Sequence, residues 1–210
     1  MQTAYDFLLQ VVQNLIETIS AVMEVPRTLL NKSEMEFDAA SNILTQIDKI
    51  GENNPVSPME IFAVQSKNIA LCSFVNENSS DLTVFTPHDL PNNQSNETIS
   101  SVAVIHTVKG ILDHSTLPNQ SAVMFLPSDI FEDGTEHVSA VVFINDNLFV
   151  SGRQKFQSSF TVASRVLSVT VGKRSISKLR KNVTLMFKKP PRYQQNGSFH
   201  CSFWKKGRDA

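Results

Sequence analysis

An α+β fold, a small helical part followed by an antiparallel β-sandwich, is the class this 210-residue sequence predicts. Two observations carry it. Over the first fifty residues, apolar side chains recur at three- and four-residue spacing, the period of one helix face. Past residue 58 the period falls to two, in short segments separated by polar, turn-rich stretches, the pattern of antiparallel strands in a sandwich. Composition agrees. With 41% hydrophobic residues, 14 phenylalanines and only 7 glycines, the chain favours packed elements over a flexible one.

The first helix is expected over residues 5–24, where Leu8, Val11, Val12, Leu15, Ile19 and Val22 fall on one face. Pro26 ends it. A second helix is expected to start near Asn31 and Ser33, because Ser33 and Glu36 have the spacing of a capping box. Its apolar face is Ala40, Ile43, Leu44, Ile47 and Ile50, and Gly51 stands as its C-terminal stop. Two such helices joined by a short turn pack antiparallel and need further partners to bury their faces.

"GENNPVSP" (51–58), polar with two prolines, reads as a linker, so the division is 1–54 helical and 55–210 sandwich. Strands follow in "MEIFAVQS", "NIALCSFV", "LTVFTP", "SVAVIHTV", "AVMFLP", "VSAVVFIN", "RVLSVTVG", "VTLMFK" and "FHCSFW". "PSDIF" reads as a single helical turn, and 144–149 as a tight turn.

Motifs exclude more chemistry than they suggest. No apolar run approaches the ~20 residues of a membrane helix. His88, His106, His114, His137 and His200 are scattered without ligand spacing, and no metal or cofactor is expected. The acidic group Asp129, Glu132, Asp133 and Glu136 lacks calcium-loop spacing and reads as a polar turn. No nucleophile elbow, phosphate loop or dinucleotide fingerprint occurs. Cys72 reads as a buried small hydrophobe. Its pairing with Cys201 is left open, two cysteines being no disulfide framework.

Two surface signals remain. Asn-x-Ser/Thr sequons stand at Asn31, Asn78, Asn93, Asn96, Asn119, Asn182 and Asn196, against roughly three expected by chance. This excess predicts a glycosylated extracellular domain. Residues 1–25 carry no basic leader and are interrupted by Asp6 and Glu17, so they read as an amphipathic helix and not as a signal peptide; a segment of a longer chain is expected. The second signal is charge. Net charge is -1, yet from Lys173 to Arg208 there are eleven Lys/Arg and no acid. Lys173, Arg174, Lys178, Arg180, Lys181, Lys188 and Lys189 read either as solvated strand edges, where lysine blocks edge pairing, or as a face for an extracellular glycan or protein. Nucleic acid is not an expected partner of an extracellular chain.

The order of elements and the C-terminal text together resemble the GAIN domain (GPCR autoproteolysis-inducing domain) of adhesion G-protein-coupled receptors, found also in polycystin-like proteins. "SRVLSVTV" is similar to the family's S-x-V-(I/L)-S-x-x-V strand, and "NVTLMF" to its P-V-x-L-x-F strand, with Asn182 where proline is usual. "AVMFLPSDIF" and "VSAVVFINDNLF" resemble its central strands, and "DAASNILTQIDKI" the last helix of its helical subdomain A. "CSFW", with Cys201, Phe203 and Trp204, resembles the opening of its proteolysis-site motif, the GPS motif. The resemblance covers nearly the whole chain. It implies that 1–54 is the end of subdomain A and 55–210 subdomain B without its final strands.

In the family, a second Trp and Cys, a Cys-x-Cys pair and a His-Leu-Ser/Thr tripeptide follow. The histidine there is the base, and the hydroxyl attacks the preceding carbonyl. None of these stands before Ala210, so the resemblance implies an extracellular scaffold without self-cleavage, with an unpaired Cys201. Its implied partners are the C-terminal stalk strand and the seven-helix receptor of a parent protein at the cell surface. The alternative is an independent secreted β-sandwich that binds glycan or protein through the basic face.

Overall fold

The structure, a computed structural model, describes residues 2–53, 61–76, 80–87, 106–109, 120–131, 136–149, 162, 164–172, 178–188 and 201. Three helices come first: α1 (Gln2–Val22), α2 (Arg27–Phe37) and α3 (Ala39–Asn53). Eight strands follow: β1 (Ile61–Gln65), β2 (Ile69–Asn76), β3 (Leu82–Pro87), β4 (His106–Lys109), β5 (Gln120–Leu126), β6 (Glu136–Phe143), β7 (Val166–Val171) and β8 (Thr184–Phe187). They form two four-stranded antiparallel sheets, ordered β1-β2-β6-β7 and β4-β3-β5-β8. The α+β class is as expected, and so is the 3-10 turn at Ser128–Ile130. "FHCSFW" lies outside the described residues, apart from Cys201.

The helices lie on the outer face of the first sheet. Alternation along its strands assigns each side chain to one of two cores. Phe62 and Val64 of β1, Ile69 and Leu71 of β2, and Val141 and Phe143 of β6 meet Val12, Ile16, Ile19 and Met23 of α1, Leu30 of α2, and Ala40, Leu44 and Ile47 of α3. The intervening residues Cys72 and Phe74 of β2, Val138 and Ala140 of β6, and Val171 of β7 point the other way. They pack against Leu82 and Val84 of β3, Leu126 of β5, and Ile130 and Phe131. The first sheet is thus buried on both sides at β2 and β6, which explains their near-continuous apolar text.

Three helical expectations change. On α1, the core stripe is Val12, Ile16, Ile19 and Met23, while Val11 and Leu15 are exposed and line up with exposed Phe7 at four-residue spacing. The helix carries two apolar stripes, and the sheet beneath it selects one. Ser33 and Glu36 begin no helix; they lie inside α2, whose N-cap is Pro26. The break comes at Asp38, in the left-handed conformation at φ 50°. There the buried Glu34 turns back to cap α3. Its Oε2 accepts from Ala40 N at 2.7 Å and Ser41 N at 3.1 Å, and Oε1 accepts from Ser41 Oγ. Finally, α3 does not stop at Gly51 but continues to Asn53. Gly51 is there for closeness of packing: a Cβ on it would come within 2.7 Å of Ser139 Cβ on β6, and nearer still to its hydroxyl.

Candidate functional site

Two places combine polar chemistry with a defined frame. The first is the seam between the helical layer and the first sheet, at the β1–β2 turn. Asn68, 6% exposed, is its centre. Its backbone N donates to Ser20 Oγ at 3.1 Å, and its Nδ2 donates to Ser20 O at 3.0 Å and to Glu24 Oε1 at 3.3 Å. Asn145 Nδ2 donates to Asn68 Oδ1 at 3.4 Å from the turn after β6, and Asn147 Nδ2 donates to Met23 O at 2.6 Å. Arg27 pairs with Asp146 at 2.8 Å, and Lys67 with Glu24. Hydrogen bonds from Lys67 and then Asn68 hold the Glu24 carboxyl below its usual pKa. These bonds satisfy the last carbonyls of α1 and tie helix to sandwich.

The second place is the β7 and β8 side of the sandwich. Leu185 and Phe187 of β8 stand opposite Met124 and Ala122 of β5, so they share the inward face of the second sheet. Even so they are 48% and 39% exposed. Leu167 and Val169 of β7 are only half-buried against the same core. The sandwich interior therefore opens at this side. Just before β8, Asp129 Oδ2 accepts from Arg180 N at 2.7 Å and from Lys181 N at 3.1 Å. Leu179 is tucked against the inter-sheet core, and Lys178 is held in the left-handed region at φ 58°.

The residues singled out in the sequence fall as follows. Lys178, Arg180, Lys181 and Lys188 are exposed, the first three just before β8 and Lys188 just after it; Lys173, Arg174 and Lys189 lie outside the described residues. Asn182 is exposed in the same segment. Asn31 is half-buried on α2, beside a shallow hollow of about 320 Å³ with Thr28, Lys32, Met35 and Glu36. Asn78, Asn93, Asn96, Asn119, Asn196, Phe203 and Trp204 lie outside the described residues. Cys72 is buried and Cys201 exposed, both free thiols, and burial pushes Cys72 up to about 11. Among the described residues, no group of three or more His, Cys, Asp or Glu could hold a metal ion.

Ser73 Oγ and His137 Nε2 lie 3.1 Å apart, the spacing of a nucleophile and its base. Ser73 is fully buried beneath α3, and its hydroxyl donates to Gly51 O at 3.3 Å. No substrate reaches that oxygen, and the pair is part of the helix–sheet seam. Sequence reasoning missed Glu34 and Asn68, and read Asp129 as part of a polar turn without its contact to Arg180 and Lys181. Only Asp129 carried a local sign, its place after Pro127-Ser128 in a turn; the amides it binds lie fifty residues on.

The architecture recurs in proteins of known structure. The chain is similar to the full extracellular region of zebrafish Gpr126/Adgrg6, with a TM-score of 0.69 and 18% identity over 93% of this chain. It spans 24% of that chain's length. A search of curated proteins returned no match. The family model described as GPS, GAIN subdomain B, matches residues 6–210, which takes in α1 and the helical layer as well as both sheets. A match of that extent settles the family: the chain belongs to the GAIN domain family.

Proposed function

We propose that this chain is the extracellular GAIN-type scaffold of an adhesion-receptor-like protein, with residues 1–54 as its helical part and 55–210 as its sandwich. Its role is mechanical and signalling: it holds a C-terminal strand that leads to a membrane-embedded receptor, and residues 1–210 by themselves do not cut the chain. The observation that carries this reading is the open β7 and β8 side. Leu185 and Phe187 face inward but remain exposed, which leaves room and apolar surface for one more strand. The tight seam at Asn68 supports it, since a scaffold that transmits load needs its layers joined.

The test uses the parent reading frame, tagged ahead of Met1 and expressed in mammalian cells. Antibody labelling of the tag on intact cells is expected for the parent, and one uncut band on a denaturing gel after glycosidase treatment for the 1–210 chain expressed alone. Labelling only after permeabilisation overturns the extracellular assignment. Two bands from the 1–210 chain expressed alone overturn the non-cleaving one.

A further inference from the structure

We propose that residues 178–181, just ahead of β8, with Lys178, Arg180 and Lys181, are a docking surface for a sulfated glycosaminoglycan chain. The choice of a sulfated glycan over other polyanions rests on the extracellular placement proposed above; the cationic surface itself does not.

Four features of the segment carry the inference. Its cations are exposed, and none of the three, nor Lys188 beyond β8, forms an ion pair among the described residues. They sit in a run of sequence from 173 to 208 that contains no acid, so no carboxylate of that run competes for them. Their backbone is fixed at successive points: Lys178 by its left-handed turn, Leu179 by packing on the inter-sheet core, and Arg180 and Lys181 by the Asp129 carboxylate that takes both amides. Asp129 Oδ2 thus faces the backbone and leaves the side chains to solvent. A fixed backbone lowers the ordering cost of binding, which for a floppy cationic tail would consume much of the electrostatic gain.

The shape of the surface selects the ligand. The described cations are exposed on the surface, which suits a long flexible polyanion more than a small molecule held in an enclosed pocket. From Lys181 to Lys188 the extended chain reaches up to roughly 23 Å, a span matched by several sugar units and not by a single sulfate or phosphate group. Sulfates along such a polymer meet guanidinium and ammonium groups in charge-assisted hydrogen bonds. An anionic lipid surface would meet the same cations, and the test separates the two.

The experiment is retention of the purified 1–210 chain on immobilised heparin at about 0.15 M NaCl, where the screening length is roughly 8 Å. Retention is expected, with release as salt rises. Arg180→Ser with Lys181→Ser should weaken binding about tenfold, each exposed pair contributing a factor of roughly two to five. Lys32→Ser with Lys49→Ser removes the same charge from the helical layer and should change affinity less than about twofold. Asp129→Ala makes the chain more positive but frees the segment, and weaker binding is expected in protein whose thermal unfolding still shows a folded sandwich. The proposal is overturned by passage through the column unretained, by equal loss in the helical-layer control, or by tighter binding of the Asp129→Ala chain. Equal retention on fully desulfated heparin, or flotation with phosphatidylserine vesicles in place of heparin retention, also overturns it. Surface labelling of the parent can fail while heparin binding holds, so the two readings fall separately.

Discussion

Replacing Gly51 by alanine tests how closely α3 is laid on the first sheet. In an ordinary helix interior this change stabilises by about 1 kcal/mol, since glycine is the poorer helix former. Here the backbone is not in the left-handed region, so no strain follows from conformation. The effect is steric: the new Cβ lies 2.7 Å from Ser139 Cβ, inside any real carbon–carbon contact. Ser139 belongs to a strand paired on both sides, to β2 and to β7, and cannot retreat. Overpacking of this kind costs ~1–3 kcal/mol. Pushing α3 away also stretches the 3.3 Å bond from Ser73 Oγ to Gly51 O, which contributes about 1 kcal/mol. After the propensity gain, a net loss of roughly 1–3 kcal/mol is expected. With an m-value of about 2 kcal/mol/M, the urea midpoint of the 1–210 chain should fall by roughly 0.5–1.5 M. Adding Ser139→Gly removes the obstructing side chain, and the double variant should recover about 1–2 kcal/mol relative to additivity. A higher midpoint for Gly51→Ala alone would refute the close approach, for it would mean that the helix behaves as if solvent surrounded it.

Three further outcomes are expected. Cys72 is neutral when folded and its pKa stands at about 11 against 9.0, so its contribution is intact below pH 9 and is lost as pH rises toward 11. Alkaline unfolding of the wild type should therefore show a stability loss of up to about 1.4 kcal/mol per pH unit there, absent in Cys72→Ala; native protein should show only Cys201 to a thiol reagent, and both thiols in guanidinium. Glu34→Ala leaves the first amides of α3 uncapped in a half-buried place and should lower stability by about 1–3 kcal/mol in thermal unfolding, Glu34→Gln by less. Asn68→Ala orphans the Ser20 carbonyl and empties the seam, for about 1–3 kcal/mol, and should speed amide exchange in the last turns of α1 more than in β5; uniform acceleration would argue that the helical layer and the sandwich open as one unit.

Much of the fold was legible because burial alternates with a short period. β1, β2, β3, β5, β6, β7 and β8 lie where the two-residue pattern placed strands, and the α3 face Ala40, Leu44 and Ile47 is buried as its spacing predicts. Of β4, only His106–Lys109 falls among the described residues, at the end of the expected "SVAVIHTV". What misled was local chemistry with two meanings. Ser33 and Glu36 have the spacing of a cap, but the carboxylate that caps α3 is Glu34, and a cap that reaches back from the preceding helix has no local signature. Gly51 has the residue type of a helix end, but its reason lies on β6, 88 positions away in sequence. For the candidate surface, the cations were legible one by one from composition. Their exposure, and the carboxylate that fixes the backbone beneath Arg180 and Lys181, were not.

By itself the sequence determined the element types and their order, because side-chain period follows directly from whether successive residues sit 100° or 180° apart. It also determined the sequons and the concentration of positive charge, which need no fold to exist. The tertiary structure decided which face of each element is inside. Once three helices cover one face of the first sheet and a second sheet covers the other, β2 and β6 are buried on both sides, and α1 must turn Ile16 inward and leave Val11 and Leu15 in water. It decided equally that Asp129 meets Arg180 and Lys181. Such choices depend on surfaces brought together from distant parts of the chain, and a local pattern carries no information about a partner it never adjoins.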